Sequence, residues 1–115
     1  MVGSDKRLEA RFYELGGGRT PVREWLLALS PADRKVLGFD IARVEFGWPI
    51  GMPSCRPLGD GLYEVRSHLS DGLIGRVLFG IADGRMVLLH GFIKKAQATP
   101  RADLELARKR LKEVQ

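Results

Sequence analysis

The chain has 115 residues and a mass of 12.8 kDa, enough for one ordinary core and too little for two, so residues 1–115 are read as one domain. With 44% apolar and 29% charged residues, neither a disordered tail nor a coiled-coil rod fits, and no stretch approaches the roughly 20 apolar residues of a membrane helix. Net charge is +5, but residues 1–84 hold 11 basic and 11 acidic side chains while residues 85–115 hold 8 and 3, so the surplus lies in the last quarter, where it favours a polyanion such as nucleic acid or simply colours a hydrated helix face.

The opening Met1–Arg7 lacks the apolar core of a signal peptide, which points to the cytoplasm and away from a membrane. From Leu8 to Leu15, Leu8, Ala10, Phe12 and Glu14 alternate against Glu9, Arg11, Tyr13 and Leu15, the period of a strand. Three Thr/Ser-Pro pairs then precede helical patterns, with the hydroxyl as expected cap and proline at the first helical position. After Thr20-Pro21, Val22, Trp25, Leu26 and Leu29 mark a short helix ending near Ser30. After Ser30-Pro31, Asp33 completes a capping-box-like start, and Leu37, Ile41 and Val44 line a second helix reaching about Phe46.

Gly47 to Gly61 is crowded with glycine and proline and reads as an irregular connection. Within it lies Cys55, the single cysteine, which excludes an intrachain disulfide; with two histidines in the chain, a structural zinc site lacks ligands. Leu62–His68, Leu73–Ile81 and Met86–Ile93 follow as strands joined at Asp71-Gly72 and Asp83-Gly84, two hairpin signals. Behind Thr99-Pro100, Leu104, Ala107 and Leu111 form a narrow apolar stripe on a helix otherwise coloured by Arg101, Arg108, Lys109, Arg110 and Lys112. The expected class is α+β: an antiparallel sheet of about four strands, two N-terminal helices and a C-terminal helix, with helices covering one sheet face.

Turn chemistry also sets register. A Ser70-Asp71-Gly72 loop with glycine left-handed places Leu69 opposite Leu73 and Arg66 opposite Arg76, while a two-residue Asp83-Gly84 turn places Arg76 opposite Gly91. Two arginines facing each other repel unless an anion lies between them. Lys95, on the parity of Gly91, would join them if the strand stays regular, with His90 and Lys94 on the other face or its rim. The same residues also fit a blander arrangement, in which each arginine pairs with Glu64 or a helix carboxylate, and His90 is a hydrogen-bonded core histidine.

The run Leu58-Gly59-Asp60-Gly61-Leu62-Tyr63-Glu64-Val65-Arg66, then Gly75-Arg76-Val77-Leu78-Phe79, then His90-Gly91-Phe92-Ile93-Lys94-Lys95 ahead of Thr99-Pro100 resembles, in order and spacing, the HigB-type toxins of the RelE/ParE superfamily, in its phage-derived branch. The likeness covers about residues 8–112. It implies a RelE-like, microbial ribonuclease-type fold, a metal-independent endoribonuclease without cofactor that cuts messenger RNA on the translating ribosome, and an antitoxin encoded beside it, commonly with a helix-turn-helix domain. In such cleavage the 2′-hydroxyl attacks phosphorus, so the enzyme removes a proton, stabilises charge on the phosphoryl oxygens and protonates the departing 5′-oxygen.

On this resemblance Arg66 and Arg76 position the phosphate and stabilise the transition state. Lys94 and Lys95 hold the RNA backbone or move a proton, Glu64 or His90 stands as the alternative proton-transfer group, and Arg101, Arg108 and Lys109 are RNA contacts on the last helix. The final strand lacks the His-Tyr or Arg-Tyr ending of some relatives, which leaves acid and base unassigned. The superfamily also holds protein-binding toxins that inhibit DNA gyrase without cutting RNA, and an inactive or regulatory RNA-binding module is a third reading of the same scaffold.

Overall fold

A computed structural model describes residues 5–93 and 99–115. The elements run β1 (Glu9–Phe12), α1 (Pro21–Ala28), α2 (Pro31–Gly47), β2 (Arg56–Gly59), β3 (Leu62–His68), a 3-10 turn (Ser70–Gly72), β4 (Ile74–Ala82), β5 (Arg85–Ile93) and α3 (Arg101–Val114). The class is α+β as the sequence indicates, but the sheet has five strands in the order β1-β5-β4-β3-β2. The additional strand is β2, inside the stretch that reads as an irregular connection. Its Pro57 lacks an N–H, and β2 tolerates this because it is the edge strand and pairs only with β3, through a bulge between Pro57 and Gly59. At the other edge β1 runs parallel to β5, so the sheet is mostly, not wholly, antiparallel.

Helices cover both faces, which corrects the one-face expectation. Val22 of α1 and Leu37, Ile41 and Val44 of α2 pack with Val65, Val77, Phe79 and Leu88 on one face. Ala107 and Leu111 of α3 pack with Leu62, Leu78, Val87 and Leu89 on the other. Double coverage accounts for the near-continuous apolar runs of β4 and β5, which a sheet with one wet face would interrupt. Trp25 and Trp48 belong to the α1/α2 side, where Trp48 meets Tyr63 and Phe79 edge-on. The carboxylate of Glu45, buried near the end of α2, accepts from the Ala10 N–H at 2.8 Å and ties down β1.

The hydroxyl caps divide. Ser30 Oγ accepts from the Asp33 N–H at 3.2 Å and caps α2. Asp33 does not close the box; its Oδ1 accepts from the N–H and the hydroxyl of Ser70, at 2.9 and 2.8 Å, and fastens the β3–β4 turn to α2. Thr20 makes no side-chain cap bond, and the cap of α3 is Pro100, so Thr99 is free to act elsewhere.

The turn-derived registers are half kept. Arg66 pairs with Arg76 across β3 and β4, and the Leu69 N–H donates to the Leu73 carbonyl. Asp71 and Gly72 both take left-handed backbone, at φ 59° and 70°. On β5, however, a bulge between the Phe79–Leu88 and Leu78–His90 pairs shifts the ladder by one, so Arg76 faces Phe92 and Gly91 faces Val77. The bulged residue is Leu89, and its carbonyl accepts from Arg110 Nη1 at 2.7 Å.

Candidate functional site

Between α3 and the sheet, near the start of that helix, two adjacent rows of side chains carry the charge. In one row Arg66, Arg76 and Phe92 are successive cross-strand partners on β3, β4 and β5. In the next, Arg56, Glu64, Leu78 and His90 are partners across β2 to β5. Three arginines thus surround one carboxylate. Arg56 escapes a sequence reading because it lies in the glycine/proline stretch, and only the pairing of β2 with β3 brings it beside Glu64.

Glu64 is fully buried and holds the cluster together. Its Oε2 accepts from Thr99 Oγ1 at 2.6 Å and lies 3.7 Å from Arg76 Nη1; Arg66 Nε lies 4.0 Å from Oε1. Arg76 Nη1 also donates to Thr99 Oγ1 at 3.5 Å. Thr99, expected as a helix cap, is therefore a bridge between the buried acid and the buried base. Burial lowers the Arg76 pKa, partly offset by Glu64 and reinforced by Arg66 and Arg56. Glu64 Oε1 and Arg66 Nε are buried atoms without a hydrogen-bond partner among the described residues, an arrangement that costs stability and is otherwise uncommon.

The two arginines differ in access. Arg66 keeps 34% of its side chain exposed while Arg76 keeps 1%, which corrects the expectation that both arginines reach the phosphate. Arg76 lies beneath, against Glu64, and Arg66 forms the reachable end of the same network. The blander pairing with Glu64 is thus present for both arginines, but as a buried cluster with more positive than negative charge.

His90 joins this face because of the β5 bulge, against the regular-strand expectation. Its Nε2 is 2.6 Å from Asp103 Oδ1 on the first turn of α3, and its ring stacks on Phe92 at 5.3 Å between centroids. Nothing in the strand pattern signals Asp103 as the partner. The parity argument that joins Lys95 to the arginines fails with the bulge, since Gly91 sits on the α1 face, close to the Trp25 ring. Lys94 and Lys95 themselves lie outside the described residues.

Along α3 the three expected RNA contacts are on the surface but differently engaged. Arg101 pairs with Glu105 at 2.9 Å on fully wet ground, Arg108 reaches Asp60 at 3.5 Å, and Lys109 is exposed. Arg110 is a packing residue, held at the bulge and laid over the Tyr13 ring at 5.2 Å. No described helix is long and apolar enough to cross a membrane.

Compared with known proteins, the sequence gives no match among curated ones. A family model described as phage-derived protein Gp49-like (DUF891) matches residues 24–112, a span that takes in the second half of α1, both rows of the charged cluster and most of α3. The chain belongs to this Gp49-like family of RelE/ParE-like toxins.

Proposed function

We propose that the protein is a HigB-type toxin that cleaves messenger RNA on the translating ribosome and is neutralised by a cognate antitoxin with a helix-turn-helix domain. The observation that carries this reading is the buried Glu64–Arg76–Thr99 network with Arg66 at its solvent-facing end. Buried ion pairs seldom add stability over apolar packing, so an ionic cluster at the centre of a sheet is better explained by what it presents. Here it presents a guanidinium whose planar fork suits phosphate oxygens and remains charged throughout.

In the proposed mechanism Arg66 holds the scissile phosphate and stabilises the charge that grows on its oxygens. Arg76 and Thr99 hold Glu64, and Glu64 in turn orients Arg66 and keeps its positive field in place. His90 is the better-placed proton-transfer group, because it keeps 18% exposure where Glu64 has none, and Asp103 fixes its ring. It lies two strands from β3, about 10 Å at ordinary strand spacing, so His90 and Arg66 can approach one phosphate from opposite sides. Lys94 and Lys95, which follow β5 in sequence, together with Arg101, Arg108 and Lys109, supply backbone contacts to the RNA.

One observation favours a second reading, a protein-binding toxin of the gyrase-inhibiting kind. Phe39 is 65% exposed, and Leu27, Val36 and Phe46 are exposed as well, an apolar surface on the two N-terminal helices of the sort that binds proteins. One experiment separates the two: purified protein is added to a translation reaction, new messenger-RNA ends are mapped, and DNA supercoiling is measured in parallel. The nuclease reading expects cuts that fall by about 100-fold or more in Arg66→Ala. Intact RNA with inhibited supercoiling would reverse the order.

A further inference from the structure

A second feature adjoins the charged cluster on the outer side of β3. The pairing of β2 with β3 ends at Arg56–Glu64, so beyond Glu64 the strand forms the sheet edge. There a cleft of about 300 Å³ opens between that edge, α2 and the segment before β2, lined by Asp40, Arg43, Met52, Pro53, Arg66 and His68. Its size is at the lower end of small-ligand sites, fit for one nucleotide-sized group and too small for a folded peptide segment.

Its chemistry is mixed in a specific way. Arg43 and Arg66 are cationic, and Arg66 also belongs to the Glu64 network. Arg43 is exposed, with its planar guanidinium over the Phe39 ring, 5.4 Å from the centroid. Met52 is 62% exposed and with Pro53 makes an apolar wall. Asp40 brings the one carboxylate: its Oδ2 accepts from Ser67 Oγ at 2.6 Å, and Oδ1 has no partner among the described residues. Cations for a phosphate, flat and apolar surfaces for a ring, and one anchored acceptor for N–H groups are the requirements of an unstacked RNA nucleotide read on its pairing edge.

We propose that this cleft seats the nucleotide beside the scissile phosphate, with the phosphate on Arg66, the base against Arg43 and Met52, and the pairing edge read by Asp40 Oδ1. The assignment rests on the RNA-cleaving reading of the adjoining cluster. A carboxylate accepts and cannot donate, so it selects bases that offer donors: guanine presents two adjacent N–H groups, the amino bases one exocyclic amine, and uracil one ring N–H flanked by acceptors. The order of preference is guanine first and uracil last.

The test uses the full-length chain and the four nucleoside monophosphates as probes. Titrations followed by amide NMR should move the signals of residues 40, 43, 52, 66 and 68, with GMP binding about 10-fold tighter than UMP and the difference lost in Asp40→Asn, which keeps the acceptor oxygen for Ser67. In the translation assay the same variant should redistribute the cut positions among codons. Shifts confined to α3, equal affinity for all four bases, or an unchanged cut pattern in Asp40→Asn would overturn the assignment. Cleft binding with the expected base order but no cutting of any messenger would leave the nucleotide site standing and remove the nuclease reading.

Discussion

Glu64 and Arg76 define the residue scale, because each is the other's reason for being tolerable in the core. Arg76→Ala leaves a buried carboxylate facing fewer cations, and breaking a buried pair from one side costs about 3–5 kcal/mol; urea denaturation should show a loss of that size. A double variant, Glu64→Leu with Arg76→Met, removes both charges and should recover most of that stability while leaving messenger-RNA cleavage abolished. Recovery of stability with intact cleavage would mean that the cluster is not the site. Cys55 behaves oppositely: it is buried, burial pushes its thiol up to about 11, and it should resist thiol reagents at pH 8 until the chain unfolds.

Asp33 illustrates linkage at the same scale. Hydrogen bonds from the backbone and hydroxyl of Ser70 favour its charged form and hold its pKa below the ordinary carboxylate value. A depressed folded value contributes stability above the unfolded pKa of about 3.9 and loses it as pH falls through the folded one. The stability gap between the native chain and Asp33→Ala should therefore be open at pH 6 and close in acid, as measured by denaturation across that range.

Among elements, the close contacts between helices and sheet are made possible by glycine. A Cβ on Gly91 would come within 2.4 Å of the Trp25 ring, and one on Gly80 within 2.5 Å of Leu111. Gly91→Ala should therefore push α1 off the sheet and Gly80→Ala should push α3, each costing about 1–3 kcal/mol by thermal denaturation. Much of this layer is legible in the sequence. The proline-marked helix starts, the Asp-Gly turns and the Arg66–Arg76 pairing all follow from local chemistry, which acts within a few residues. What is not legible depends on tertiary partners: the bulge at Leu89 is satisfied by Arg110 from α3, β2 exists only because β3 offers an edge, and Thr99 turns away from capping because a buried Glu64 competes for its hydroxyl. Each of these moves a site residue, so the register of β5 and the place of His90 could not be read from strand parity.

For the whole molecule, the charge distribution matters more than the net +5. Basic side chains on α3 and the arginine cluster near its start give one side a positive field, and RNA binding through it should weaken with salt in proportion to the phosphates neutralised. Substituting Arg101 and Lys109 with glutamine should lower the slope of log affinity against log salt by about 1–2 without unfolding the chain, since both are exposed. The most direct measurement of the central claim is the chemistry of the ends left on messenger RNA by the purified protein on translating ribosomes. Attack by the 2′-hydroxyl at a phosphate held by Arg66 predicts upstream fragments ending in a 2′,3′-cyclic phosphate, downstream fragments with a free 5′-hydroxyl, and neither from folded Arg66→Ala. Downstream fragments bearing a 5′-phosphate, or cutting by Arg66→Ala at the native rate, would contradict it.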